Sequence, residues 1–279
     1  MDQSEAELRG VVKVISFSQP LWRNRRLIQR LTIREIQGRY RGTALGMSWS
    51  VIQPLLMLAV YTFVFSGILK SKWGDNGIAD NWTYALNLFA GLITFNLFAE
   101  CITRGPVLVT SVPNYIKKVV FPVEILPAVS LCNALYHALT GLAILLIFRQ
   151  AVGIPASATI FLLPVVWLPL AAICLGLGWI LSALGVYLRD LPQATGLCVN
   201  ILLFTSAVFY PVSALPERWG QILGLNPLLV LIEKSRDVLL HNSAPSLSWL
   251  SLSIALSICF CEVCFRIFQK ARKGFADVI

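Results

Sequence analysis

Two histidines and seven cysteines are the side chains here best suited to metal or nucleophile chemistry, and their spacing supports neither. His137 and His241 stand far apart in sequence. Cys101, Cys132, Cys174, Cys198, Cys259, Cys261 and Cys264 are scattered almost wholly through apolar runs. An odd number of them there argues against a disulfide framework. Cys261-Glu-Val-Cys264 has half the spacing of a metal site, but no second pair or histidine lies near it. It reads as small apolar residues on a helix. No G-x-x-x-x-G-K-[ST] loop, H-E-x-x-H motif or pair of aspartates on one segment occurs. A nucleotide-binding P-loop, a zinc hydrolase and a metal-dependent glycosyl or prenyl-phosphate transferase are therefore disfavoured.

The acids within apolar stretches sit near basic residues. Glu100 is close to Arg104, Glu124 to Lys117 and Lys118, and Glu262 lies four residues before Arg266. That last spacing is the favourable helical one. Each reads as an end-of-helix charge reaching for the interface rather than a mid-membrane coupling site. Ion-coupled transport loses ground accordingly. His137 falls within an apolar run, where a satisfied buried imidazole and a proton or substrate contact are both open. Aromatic surface is plentiful: Trp49, Tyr61, Phe63, Phe65, Phe95, Phe98, Trp167, Trp179, Phe204, Phe209 and Tyr210. Lipid contact and packing are the ordinary uses of such rings. As a set they could also line a conduit, because rings stack on the apolar faces of sugars without demanding one hydrogen-bond pattern.

The elements that must position these residues are membrane spans. The chain has 279 residues, 57% hydrophobic and only 13% charged, with a mean hydropathy of +0.72. Soluble domains carry about 25% charged residues. An all-α polytopic membrane protein is the class that fits. Six spans are expected, at about 49–69, 83–103, 119–148, 158–187, 194–212 and 247–268, making residues 49–279 one membrane domain after a 1–48 segment. Pro122 and Pro127 should kink the start of the third. The first 30 residues mix acids and bases and lack an apolar core, so the first span is expected to direct insertion itself. The net charge of +9 is explained by topology rather than nucleic acid. With both ends inside, 17 of the 23 Lys and Arg residues fall on the cytoplasmic side. Gly42/Gly46 and Ala172/Gly176 have close-packing spacing.

Two segments do not cross. Residues 22–41, with seven arginines between Trp22 and Gly42, read as a helix with two narrow apolar strips. One holds Trp22, Ile33, Ile36 and Tyr40, the other Leu27, Ile28 and Leu31. This fits a helix held between the membrane and a second protein; a basic helix on anionic lipid is the alternative. Residues 211–242 contain an apolar helix carrying Glu233, Lys234, Arg236 and Asp237, too charged to span. They are expected to form a hairpin at, or dipping into, the far leaflet.

The stretches RYRGTALGMSWSVIQPL, NYIKKVVFPVEILP, YLRDLP, FYPVSALPERWGQILGLNPLLVLIEKSRDVLL and FADVI resemble the type-2 ABC exporter permeases. Within them the nearest likeness is to O-antigen, capsule and teichoic-acid polysaccharide exporters (Wzm-, KpsM- and TagG-like). The resemblance covers residues 20–279 and departs at Glu100-Cys101, where a less acidic pair is expected. It implies a six-span homodimer in the inner membrane, served by two copies of a separate ATPase that binds ATP and Mg, with no cofactor on this chain. It implies export of an undecaprenyl-diphosphate-linked glycan. The ATPase-coupling surface it implies comprises Arg25, Arg26, Arg30, Arg34, Asn114, Tyr115, Lys117, Lys118, Arg189 and Asp190. Tyr40, Trp49, Tyr61, Phe65, Phe204, Phe209 and Tyr210 would line the conduit. Pro211, Trp219, Asn226, Pro227, Glu233 and Arg236 would form an outer gate. Two other readings stay open: a type-2 exporter of lipids or small molecules, and a membrane-embedded glycolipid enzyme acting alone.

Overall fold

Glycine and proline set where the helices start and stop. A computed structural model describes residues 16–68, 73, 81–113, 121–154 and 158–275, and the elements among them are all helical. In chain order they are α1 (Ser18–Arg23), α2 (Arg25–Tyr40), α3 (Trp49–Tyr61), α4 (Asn81–Arg104), α5 (Leu126–Ala151), α6 (Leu163–Tyr187), α7 (Leu191–Thr205), α8 (Glu217–Leu223), α9 (Pro227–Leu239) and α10 (Leu247–Ala271). Among the described residues, five stretches are long and apolar enough to cross a bilayer: Gly46–Val64, Trp82–Val107, Val123–Ala151, Ala158–Tyr187 and Leu247–Gly274. α7 is a shorter sixth. The chain is a multi-pass membrane protein.

Several expectations need correction. The basic helix is broken: Asn24 ends α1, its side-chain amide donating to the Pro20 carbonyl, and α2 starts afresh at Arg25. Trp22 therefore leaves the apolar strip and is exposed, as is Ile33. The face that is buried is Thr32, Ile36 and Tyr40, four residues apart. Pro122 and Pro127 do not kink the third span. Pro122 precedes it and Pro127 sits in its first turn, where a missing N–H costs nothing. α7 starts and stops earlier than 194–212. At about 1.5 Å per residue its 15 residues rise only about 22 Å, short of a ~30 Å core. Gly42 and Gly46 are not a packing pair; both have positive φ, and they turn the chain from α2 into α3.

Packing is dense in the middle of the chain and thin at α3. α4 is enclosed on nearly all sides, whereas α3 is exposed along most of its length. One apolar cluster joins α4, α5 and α6 to the hairpin helix α9 through residues such as Phe89, Leu145, Trp167 and Ile232. A second, around Trp179, Phe265 and Phe268, joins the ends of α6 and α10, with the Trp179 indole donating to the Glu124 carbonyl at 2.9 Å. Gly176 permits the close approach of α10: a β-carbon there would lie 2.9 Å from the Phe260 ring. Cys261 and Cys264 are buried in this packing, and no metal-ligand cluster occurs among the described residues.

The tightest contact is backbone on backbone. The turn Gly105–Val107 after α4 lies so close to Gly185 of α6 that a methyl there would fall on the Pro106 carbonyl. Overpacking of this kind costs about 1–3 kcal/mol. Gly185→Ala should therefore lower the melting temperature of the purified protein by several degrees. Gly220→Ala, where nothing lies in the way, should leave it unchanged.

Candidate functional site

Glu35 and Arg39 stand one turn apart on α2, and Glu100 and Arg104 one turn apart on α4. The two helices run in opposite directions, so each glutamate meets the other helix's arginine. Arg39 pairs with Glu100 at 2.5 Å, and Arg104 pairs with Glu35. This corrects the expected Glu100–Arg104 pairing, since a cross-helix partner was not visible in the spacing. All four side chains are partly shielded, Glu100 most of all at 18% exposed. Each such pair is worth about 1 kcal/mol or less alone. Together they fix both the register and the angle of α2 on the membrane helices.

α5 completes the cluster. The Arg39 guanidinium also donates to His137 Nε2 at 2.9 Å. A guanidinium only donates, so Nε2 accepts and the ring is neutral with its proton on Nδ1. Nδ1 faces the Tyr40 hydroxyl at 3.5 Å, and the Asn133 amide approaches Glu100 at 3.5 Å. Burial raises the Tyr40 phenol above its ordinary value, the neighbouring Arg39 pulling it partly back. Sequence reasoning set His137 between a buried and a contact role, and missed Arg39, Glu35 and Asn133. The E-x-x-x-R spacing repeated in α2 and α4 was the signal available.

This cluster forms one wall of a cavity of about 920 Å³ between α2, α3, α4 and α5. Of the expected conduit residues, Tyr40 and Tyr61 line it. Tyr61 stands edge-on to Phe209, which in turn contacts Phe204. Trp49 and Phe204 are exposed on α3 and α7, and the Tyr210 hydroxyl donates to the Phe204 carbonyl. The Phe65 side chain lies outside the described residues.

At the other end of the helices Arg236, one of the expected gate residues, forms a buried anchor, with Asn226 capping its helix. Asn226 accepts from the Leu228 N–H as the N-cap of α9, with Pro227 in the first turn, and its amide donates to Ser206. Arg236 is 1% exposed. It donates to the carbonyls of Asn87, Ala207 and Val208 at 2.8–2.9 Å, pairs with Glu233, and lies over the Trp73 ring. Burial lowers its pKa and Glu233 opposes the shift; a guanidinium remains charged. The space for it is made by Gly91, where a side chain would strike the guanidinium. α7 ends at Thr205 because the backbone leaves helical geometry at Ser206 and Ala207 takes a positive φ; the Ala207 and Val208 carbonyls just beyond are taken by Arg236. Pro211 opens the hairpin, and Trp219 is exposed on α8.

The expected coupling residues are on the surface. Arg25, Arg26, Arg30 and Arg34 are exposed on α2, Arg25 over the Trp22 ring. Arg189 and Asp190 occupy the exposed turn between α6 and α7. Asn114, Tyr115, Lys117 and Lys118 lie outside the described residues. Glu124 is 5% exposed and paired with Arg272 at 2.7 Å, while the lysines expected near it lie outside the described residues. Glu262 does pair with Arg266 as the spacing predicts, and also accepts from the Phe17 N–H, tying the start of α1 to α10.

An anchored amphipathic helix, long spans and a charged non-spanning hairpin agree with the sequence comparisons. The family model described as ABC-2 type transporter matches residues 26–240. The chain belongs to that family. It is thus a transporter subunit of the inner membrane rather than an enzyme, of the kind that works with an ABC ATPase made as a separate subunit. Among named relatives, an O-antigen export system permease protein of Myxococcus xanthus is 26% identical over 95% of this chain and 100% of its own length. One from Klebsiella pneumoniae is 24% identical over 91% of this chain and 95% of its own. A polysialic acid transport protein of Escherichia coli is 23% identical over 88% and 94%.

If the crossed pairs set how α2 sits, reversing one charge should unseat it and reversing both should restore it. Arg39→Glu and Glu100→Arg should each lower the melting temperature. The double variant should recover most of the loss, a coupling of about 1 kcal/mol in a double-mutant cycle.

Proposed function

We propose that this chain is the permease of a polysaccharide exporter, moving a lipid-linked glycan from the cytoplasm to the outer leaflet. The observation that carries the reading is end-to-end similarity to permeases named for O-antigen export. Two copies form the pathway, with two copies of an ATPase that holds ATP and Mg. Both termini face the cytoplasm, which puts the arginine-rich face of α2 on the ATPase side, as the positive-inside rule requires.

ATP-driven closure of the ATPase pair pushes on the α2 arginines, on residues 114–118 and on the Arg189-Asp190 turn. Because α2 is ion-paired to α4 and packed on α5, the push reaches the spans without a flexible link. The thinly covered α3 and the exposed apolar face of α7 then line the path between subunits, with Trp49 and Phe204, and Phe209 and Tyr210 just beyond α7, as sliding surfaces. The hairpin from Pro211 to Arg236 closes the outer mouth.

Co-expression with the candidate ATPase tests this. The expected result is a stable complex of two permeases and two ATPases whose ATP turnover falls several-fold in Arg189→Ala. Deletion of the chain should also deplete cell-surface glycan. A chain that never associates with an ATPase, or whose loss leaves surface glycan intact, would contradict the proposal.

A further inference from the structure

We infer that the cavity between α2, α3, α4 and α5 is a carbohydrate site within each subunit, taking uncharged sugar rings of a membrane-tethered glycan. The inference rests on the exporter reading for the tether and on the cavity for the chemistry. At about 920 Å³ it lies within the ~300–1,000 Å³ range of ligand pockets, which also favour the space between bundle helices.

Its charges cancel. Glu35 answers Arg104, Glu100 answers Arg39, and His137 accepts a hydrogen bond as a neutral ring. A phosphate or diphosphate would find no uncommitted cation among these four ionic groups and would meet the Glu100 carboxylate. What the walls do offer is amides. Asn96 is exposed on α4, the most enclosed span, between the buried Phe95 and Leu97. Gln53 is exposed on α3. An amide facing hydrocarbon would be costly, and both instead line the cavity. Asn133 is 0% exposed, and its amide oxygen has no hydrogen-bond partner among the described residues although the residue lines the same wall. Buried amide oxygens are normally satisfied, so this one points to a donor supplied from outside the chain.

Amides donate and accept, as each sugar hydroxyl does. The partly buried ring of Tyr61 and the exposed Met57 side chain supply apolar surface for the C–H faces of a pyranose. Uncharged polyols fit this combination; phosphates do not. The lipid's diphosphate must therefore be held elsewhere while the first sugars occupy the cavity.

The test uses the full chain with its ATPase in lipid nanodiscs and a dodecyl maltoside carrying a photoreactive group on its sugar. Labelling should map to peptides of α3 and α4 and be competed by plain dodecyl maltoside but not by dodecyl phosphate. Gln53→Leu with Asn96→Leu should lower it about tenfold, the loss of roughly two modest hydrogen bonds. Asn96→Gln should keep most of it. Labelling that maps elsewhere, is competed equally by dodecyl phosphate, or is unchanged in the double leucine variant would overturn the site. Failure of the site while deletion of the chain still depletes surface glycan leaves the exporter reading standing. A working site with surface glycan unaffected removes the exporter reading and leaves a sugar-binding cavity.

Discussion

The position of α2 on the membrane helices depends on two crossed ion pairs, Glu35–Arg104 and Arg39–Glu100. A 16-residue helix with eight residues between it and α3 has no covalent reason to lie at one angle. Its apolar face is narrow, limited to Ile36 and Tyr40 beside Thr32. Apolar burial tolerates sliding, whereas two charge pairs of opposite sense tolerate neither a slide nor a rotation by one residue. The pairs sit at the rim of the bilayer-facing helices, where shielding by protein strengthens them and partial exposure limits the desolvation cost. The helix becomes a handle fixed to α4 and α5.

The opposite end is organised around a single cation. Arg236 satisfies two carbonyls just beyond α7, one carbonyl in the first third of α4 and the Glu233 carboxylate, and so fastens the hairpin into the bundle. Between these two anchored ends, α3 and α7 carry the least packing. Among the described spans they are the ones free to part or meet a second subunit, while α4, α5 and α6 form the body against which they move.

Much of this was legible in the sequence. Five of the six spans were readable because each is a continuous apolar run, and the hairpin was readable because four charges in one short apolar helix forbid crossing. α7 is shorter than the sequence suggests: the apolar run continues through Ala207 and Val208, but the backbone leaves the helix at Ser206 and Ala207, and Arg236 from thirty residues downstream takes the carbonyls beyond. The clamp was misread for the same kind of reason. Local spacing shows which charges share a face, but not which helix that face meets; Glu100 looked like a partner for Arg104 until Arg39 stood beside it. Asn96 and Gln53 were invisible as site residues because single amides in apolar runs gain meaning only when a cavity lies in front of them.

On this view α2 and the spans it touches move as one body. Thr32 on α2 contacts the native Cys132 on α5. Thr32→Cys allows a disulfide across that contact, and the measurement is ATP-driven glycan export by the assembled complex before and after oxidation, with the wild type treated identically. The cross-linked transporter should export at close to the reduced rate. Export that stops on oxidation and returns on reduction would show that α2 must move against the spans, and would contradict this view.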